Sequence, residues 1–290
     1  MPTGKIIKAL SGFYYVLDRK GVISCRGRGV FRNNKTTLLV GDEVIYEKAD
    51  DLSGYIMEVL PRKNELIRPP ISNVDQAILV FSALEPDFSS KLLDRFLVLV
   101  ESNNIKPIIC VTKMDLVKND TIKEVVEEYR KIGYNVILTS VREEQSLKEI
   151  KAFISNKISV FAGQSGVGKS SLLNAINPTL NIETNTISES LGRGKHTTRH
   201  VELLNVNDGL VADTPGFSSL DFEEITKEEL GDYFIEIKEK SAECRFRGCL
   251  HTAEPKCAVK SAVEHGEIAE FRYQHYKEFL DEINERKPRY

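Results

Sequence analysis

Residues Gly163-Gln164-Ser165-Gly166-Val167-Gly168-Lys169-Ser170 fit the pattern G-x-x-x-x-G-K-[ST]. An apolar run (Ile158, Val160, Phe161, Ala162) precedes them, and a helix-like stretch from Ser171 to Ile176 follows. Strand, glycine loop and helix in that order form the context a phosphate-binding loop requires. Glycines let backbone N–H groups close around phosphate oxygens, and the helix N-terminus adds a favourable dipole. Lys169 is then expected to reach the β- and γ-phosphates. Ser170 is expected to ligate Mg²⁺, with Ser171 following it at the nucleotide. The bland alternative is a glycine-rich strand-to-helix turn, and the agreement of motif with context weighs against it.

Two more stretches suit the same chemistry. Asp213-Thr214-Pro215-Gly216 follows the apolar run Gly209 to Ala212 and fits D-x-x-G. Asp213 is expected to hold Mg²⁺ through a water, and the Gly216 N–H to touch a γ-phosphate. Thr112-Lys113-Met114-Asp115 follows an apolar run ending at Val111 and stands where GTPases carry Asn-Lys-x-Asp. The Asp115 carboxylate would accept hydrogen bonds from the N1–H and exocyclic amine of guanine, which adenine does not offer there. The stem of Lys113 would pack over the ring. Thr112 replaces the usual Asn with a shorter hydroxyl. Thr139-Ser140-Val141 ends the next apolar run, where a second guanine-contacting loop, with Ser140, would fall.

Between the two phosphate elements lies Leu191-Gly192-Arg193-Gly194-Lys195-His196-Thr197-Thr198-Arg199, polar and glycine-rich as a switch loop would be. Thr197 or Thr198 could give a hydroxyl to Mg²⁺, and Thr198, just before an expected strand at 200–204, is preferred. Many GTPases place a Gln just after D-x-x-G to orient water. Phe217 stands there and has no hydrogen-bonding group. Intrinsic turnover should therefore be slow. His196 is the candidate to position water near neutral pH, with RNA contact as its alternative role.

The order of these elements is unusual. An ordinary GTPase runs phosphate loop, switch threonine, D-x-x-G, then guanine motif. Here the guanine motif (112–115) comes first, so the domain is read as circularly permuted, which a fold tolerates when its native ends are close. The chain after Gly216 then leads directly into the C-terminal region. The nucleotide state is therefore expected to set how that region and the N-terminal region are arranged on a partner.

The C-terminal region, 223–290, contains Cys244-x₄-Cys249-x-His251-x₅-Cys257. Three thiolates and an imidazole complete a tetrahedral structural Zn²⁺ shell, and a small segment with little core would gain folding energy from it. Arg245, Arg247, Lys256 and Lys260 form a basic patch nearby, although the region as a whole carries twelve Lys/Arg against sixteen Asp/Glu. Ile268, Phe271, His275, Phe279 and Ile283 recur at helical spacing and are read as a stripe packing a helix on its own domain.

The elements that must hold these residues divide the chain in three. Over 1–65, short β-rich runs (5–10, 13–17, 22–25, 37–40, 43–46, 55–59) suit a small barrel of about five strands, an OB-fold. This part has eleven Lys/Arg against eight Asp/Glu. Arg26, Arg28, Arg32 and Lys35, with Phe13, Tyr14 and Tyr15, suggest a basic stacking surface for RNA; any one of those aromatics is more readily a core residue. Arg68-Pro69-Pro70 marks a joint. Over 66–222, strands (76–81, 107–111, 136–138, 158–162) alternate with helices (90–100, 121–132, 146–154), as in a parallel sheet covered on both faces. Cys110 is read as a buried strand residue.

The whole-chain balance is ordinary for a globular protein, at 41% hydrophobic and 29% charged with a net charge of -3. That charge does not announce a nucleic-acid partner, so RNA binding must rest on local patches. No run reaches membrane-spanning length, the N-terminus lacks a signal pattern, and five cysteines do not suggest a disulfide scaffold. A reducing cytoplasm, no membrane partner and a monomeric state are expected.

Together these features resemble the circularly permuted small-subunit ribosome biogenesis GTPases, the RsgA (YjeQ/YloQ) family. The resemblance spans the barrel, the permuted motif order, Gly192-Arg193-Gly194-Lys195-His196-Thr197-Thr198 and the Cys-Cys-His-Cys cluster. It implies an OB-fold, a permuted GTPase domain and a mostly helical zinc domain. It also implies GTP hydrolysis stimulated by the small ribosomal subunit during late maturation, with rRNA contact, and it supports His196 as the water-positioning residue. Guanine alarmones are expected to compete for the same pocket. The rival readings are a GTP-regulated switch on a non-ribosomal partner, an ATP-dependent nucleic-acid enzyme, which Asp115 argues against, and a purely structural RNA-binding module.

Overall fold

The computed structural model describes residues 1–29, 31, 36–50, 52–67, 69–117, 121–182, 201–212 and 220–286. His196, Thr197, Thr198, Asp213, Gly216, Phe217, Arg32 and Lys35 lie outside the described residues.

Five strands close the N-terminal barrel: β1 (Thr3–Leu10), β2 (Phe13–Asp18), β3 (Gly21–Gly27), β4 (Glu43–Lys48) and β5 (Ser53–Val59). The order around it is β1-β2-β3-β5-β4, and β1 pairs again with β4. The period-2 pattern sets what faces inward. Ile6, Val16, Ile23, Cys25, Val44, Tyr46 and Ile56 fill the interior. Between Ile23 and Cys25, and just beyond, Ser24 and Arg26 alternate with them on β3. Arg26 is thus a strand residue rather than part of a connecting loop. The strand expected over 37–40 does not form; only Val40 makes an isolated bridge, to Ile71. The chain there instead wraps Asp42, which is fully buried and accepts from Arg62, the Ser72 hydroxyl and the Leu39 N–H. That network ties the barrel to the short hairpin β6 (Glu65–Leu66) and β7 (Ile71–Ser72).

The central sheet has six strands. Its elements in chain order are β8 (Gln76–Ser82), α1 (Ser90–Ser102), β9 (Lys106–Thr112), α2 (Thr121–Ile132), β10 (Asn135–Leu138), α3 (Glu144–Ile154), β11 (Ile158–Ala162), α4 (Lys169–Ile176), β12 (Leu203–Val206) and β13 (Gly209–Ala212). The spatial order is β10-β9-β8-β11-β13-β12. The first five are parallel; edge strand β12 returns antiparallel to β13 through a turn at Asn207 and Asp208, a departure from the all-parallel expectation. β8 and β11 are buried along their whole length, as strands with both faces covered must be. The chain runs outward from β8 to β9 and β10, then returns to β11 on the other side of β8. A crevice therefore opens at the carboxyl ends of β8 and β11, where sheets of this kind bind ligands.

Three helices, α5 (Ile235–Ser241), α6 (Ala258–Glu264) and α7 (Glu270–Glu285), build the C-terminal unit around Phe234, Ile237, Val259, Tyr276, Phe279 and Leu280. The expected stripe packs partly on this unit, through Ile268 just before α7 and Phe279 and Ile283 on it. The rest of it crosses to the central domain. Phe271 meets the Tyr129 ring on α2 at 6.0 Å, and His275 Nδ1 lies 2.5 Å from the Asp94 carboxylate on α1. Arg272 is wholly buried between Asp94 and Glu236, with its guanidinium 4.6 Å from the Phe234 ring centroid. Among the described residues, no helix is long and apolar enough to cross a membrane.

Candidate nucleotide site and metal centre

Residues 163–170 leave β11 and enter α4 at the crevice. Gly163 has φ 145°, and a Cβ there would stand 2.0 Å from the Val80 carbonyl oxygen of the neighbouring strand, so only glycine fits. Gly166 and Gly168 are also left-handed, with φ 80° and 94°. Lys169 folds back over the loop, its ammonium donating to the carbonyls of Gly163 at 2.8 Å and Gln164 at 2.6 Å. Burial pulls its pKa down to about 8. A phosphate at this place would restore the charged form. Gln164, Ser165 and Gly166 are exposed, whereas Val167 and Ser170 are buried.

The guanine-type motif begins at the end of β9. Thr112 is buried, and its hydroxyl donates to the Val167 carbonyl at 2.6 Å, with the Phe81 carbonyl at 3.2 Å. It clasps the glycine loop rather than presenting a free hydroxyl to a base. Lys113 takes a left-handed backbone (φ 59°) and donates to the Glu85 carbonyl. Asp115 is exposed. The Met114 N–H reaches the Thr139 carbonyl at 3.3 Å, which sets the second loop beside the first. There the Ser140 hydroxyl accepts from the Arg142 N–H at 3.3 Å, and the Arg142 guanidinium stands 3.8 Å from the Asp115 carboxylate.

The structure thus gathers Thr112, Lys113, Asp115, Ser140 and the whole glycine loop at one end of the sheet, although 55 residues separate Thr112 from Val167. Glu85 and Arg142 were not singled out from sequence. Glu85 follows β8, the strand at the switch point, and Arg142 is two residues past Ser140; both places were readable once the strand order was known.

Cys244, Cys249, His251 and Cys257 bring their ligand atoms within 4.8 Å of one another. Cys244 and Cys257 sulfurs are 3.8 Å apart, and His251 Nδ1 lies 3.6 Å and 3.4 Å from them. A tetrahedron with Zn–S bonds of about 2.3 Å has sulfur-to-sulfur edges of about 3.8 Å. The group therefore fits a zinc ion. Burial lowers the His251 pKa, which favours the neutral imidazole a metal needs, and pushes the Cys249 thiol up to about 12, which a cation would reverse. Supports surround the ligands. Tyr273 donates to the His251 carbonyl at 2.6 Å, Tyr276 to the Leu250 carbonyl at 2.9 Å, and the Lys260 N–H to Cys257 sulfur at 3.5 Å. All five cysteines are free of disulfides, and Cys110 is the buried strand residue expected.

On the barrel, Phe13 is exposed and stacks with Arg26, whose guanidinium lies 4.7 Å from the ring centroid; Tyr14 packs against the core.

A glycine loop at the switch point, joined to a guanine-type motif that precedes it in sequence, defines a circularly permuted GTPase, here flanked by a five-stranded barrel and a Cys₃His unit. The chain belongs to the RsgA GTPase family. The family model described as RsgA GTPase matches residues 59–223, and the RsgA N-terminal domain matches residues 3–56. The small ribosomal subunit biogenesis GTPase RsgA of Bacillus subtilis (strain 168) is 64% identical over the full length of both chains. The crystal structure of YloQ, described as a circularly permuted GTPase, superposes with a TM-score of 0.88 at 60% identity, covering 100% of this chain and 97% of that one. YjeQ from Thermotoga maritima superposes with a TM-score of 0.87 at 40% identity, covering 98% and 99%.

Proposed function

We propose that this protein hydrolyses GTP in the service of small ribosomal subunit maturation, binding the subunit and its rRNA and leaving as the GDP form. The observation that carries the nucleotide half is the Thr112 bond to Val167, which joins base-reading and phosphate-gripping segments in one crevice. The subunit half is supported by relatives over 60% identical across the whole chain that bear that function in their names.

Within this reading Gly163 to Ser171 cradle the phosphates, and Lys169 neutralises charge that builds on the β- and γ-phosphates. Asp115 reads guanine, Lys113 covers its ring, and Thr112 acts through the loop it clasps. Ser140 shapes the second base loop. Ser170, Thr198 and Asp213 are the oxygen donors assigned to Mg²⁺, which when bound offsets phosphate charge. The Gly216 N–H is assigned to the γ-phosphate. His196 orients the attacking water. Zn²⁺ is assigned to Cys244, Cys249, His251 and Cys257. We divide the chain at 1–65, 66–222 and 223–290, and place the protein in the cytoplasm as a monomer. Guanine tetraphosphates compete with GDP, since they share its base and diphosphate.

The reading is tested by GTP turnover with and without purified small subunits. Stimulation by small subunits, and not by large subunits or free RNA, is the expected result. Loss of that stimulation in His196→Ala with GDP binding retained supports its assigned role. Absence of stimulation in the wild type overturns the ribosomal reading.

A further inference from the structure

Arg95, on the second turn of α1, makes three attachments at once. Its guanidinium donates to the Leu220 carbonyl at 2.9 Å and forms a forked pair with the Glu282 carboxylate on α7. It also lies over two rings, 4.5 Å from the Phe222 centroid and 4.9 Å from that of Phe279. The side chain is 18% exposed. Only a planar cation with several fixed donors meets an aromatic surface, a carboxylate and a carbonyl together.

The position of the three partners gives this a meaning. Leu220 lies four residues after Gly216, the last residue of D-x-x-G. Four residues span at most about 14 Å even fully extended, so chain length alone keeps the carbonyl Arg95 holds within about that distance of the D-x-x-G backbone. Glu282 and Phe279 belong to the helix that carries the C-terminal unit. α1 itself begins just after the segment whose Glu85 carbonyl takes the Lys113 ammonium. Next to Arg95, Asp94 receives Arg272 and His275 of α7. Packed elements of this kind shift between discrete arrangements rather than deforming smoothly.

We propose that Arg95 is a positioning residue for the subunit-stimulated reaction, coupling the phosphate-sensing segment to the C-terminal zinc unit. It holds the exit of that segment against α7, so that γ-phosphate loss and the docking of the zinc unit on a partner report on each other. This rests on the small subunit being the partner.

The experiment uses the full-length, metal-replete protein and three variants. Arg95→Met keeps a stem over the two rings and removes every hydrogen bond. Arg95→Lys keeps the charge opposite Glu282. Glu282→Gln weakens the α7 attachment alone. For Arg95→Met, GDP affinity and intrinsic turnover are expected within about twofold of wild type, because Arg95 touches neither the glycine loop nor residues 112–115. Subunit-stimulated kcat falls at least tenfold with a smaller change in KM. The ratio of subunit affinities for the GTP-analogue and GDP forms moves toward one. Arg95→Lys restores part of both, and Glu282→Gln reproduces both about threefold. Unchanged stimulated kcat and an unchanged affinity ratio in Arg95→Met overturn the proposal, as does loss of thermal stability with both readouts intact, which would make Arg95 a clamp only. If Arg95→Met misfolds, Glu282→Gln decides by the same criteria. A wild type that small subunits do not stimulate refutes the ribosomal reading itself and this coupling with it.

Discussion

The Thr112 hydroxyl donates to the Val167 carbonyl at 2.6 Å, across 55 residues of sequence. Thr112 is buried, and its hydroxyl is engaged by two backbone carbonyls, those of Val167 and Phe81, rather than left free for a base.

Removing that hydroxyl should loosen the loop without unfolding the domain. Thr112→Val keeps the shape and leaves the Val167 carbonyl unpaired. A buried hydrogen bond of this kind contributes about 1–1.5 kcal/mol net, so GDP affinity should fall about five- to tenfold. Thr112→Ser should stay within about twofold. Fluorescent-GDP titration measures both, and a Thr112→Val protein that binds like wild type would show that the clasp does not matter for affinity.

The depressed pKa of Lys169 sets a pH dependence. Between about 8 and the ordinary lysine value, the free protein holds this amine neutral whereas the unfolded chain holds it charged. The unfolded state then binds more protons, so the free fold gains stability as pH rises through that window, the penalty for burying the charge being fully present only below about 8. Nucleotide binding runs the other way, because it needs the ammonium. GDP affinity should fall about fourfold between pH 7 and 8.5, with proton uptake on binding visible by calorimetry in two buffers. Lys169→Arg stays charged and should lose that slope; the same slope in Lys169→Arg would assign it to another group.

Metal removal should act on one end of the molecule. The Cys₃His group and its supporting tyrosines belong to a different core cluster from the glycine loop. Chelation, or Cys249→Ser, should release one zinc per chain and unfold the C-terminal helices. The sequence has no tryptophan, so tyrosine fluorescence and circular dichroism are the probes. GDP affinity should change less than about threefold. A purified protein with no bound zinc and full helicity would remove the metal from the account.

Arg272 joins Asp94 of α1 to Glu236 of α5 in a buried cluster. Arg272→Met strips the cation from Glu236 and leaves Asp94 with only His275 and the Tyr129 hydroxyl, and should cost about 3–5 kcal/mol in urea unfolding. A loss under about 1 kcal/mol would mean that protonation or water absorbs the charge.

These clusters mark the limit of what the sequence could reveal. The glycine loop, the guanine-type motif and the Cys₃His cluster depend on short spacings, and each was legible because local chemistry fixes it. The barrel and the alternating layer followed from periodicity, as with Ile23 and Cys25 on β3 or the continuous apolar run of β8. Strand formation failed at 37–40, where burial of Asp42 competes for the backbone. The helical stripe was expected to pack α7 on its own domain, which holds for Phe279 and Ile283 but not for Phe271 and His275. His275 and Phe271 face Asp94 and Tyr129, and no pattern within α7 names residues some 180 and 140 positions away. Arg95 was hidden for the same reason: its partners come from two distant stretches of chain, 220–222 and 279–282.

The central claim is that residues 112–115 and 163–170 build one guanine-nucleotide pocket, and exchanging the base-reading group tests it most directly. Asp115→Asn replaces an acceptor of two N–H groups with an amide that can donate to the C2 oxygen of xanthine. Titration of both diphosphates against wild type and variant should show GDP affinity falling at least tenfold while xanthosine diphosphate affinity rises. Unaltered GDP affinity in Asp115→Asn, with Lys169→Ala still abolishing binding, would place the base elsewhere and contradict the shared pocket.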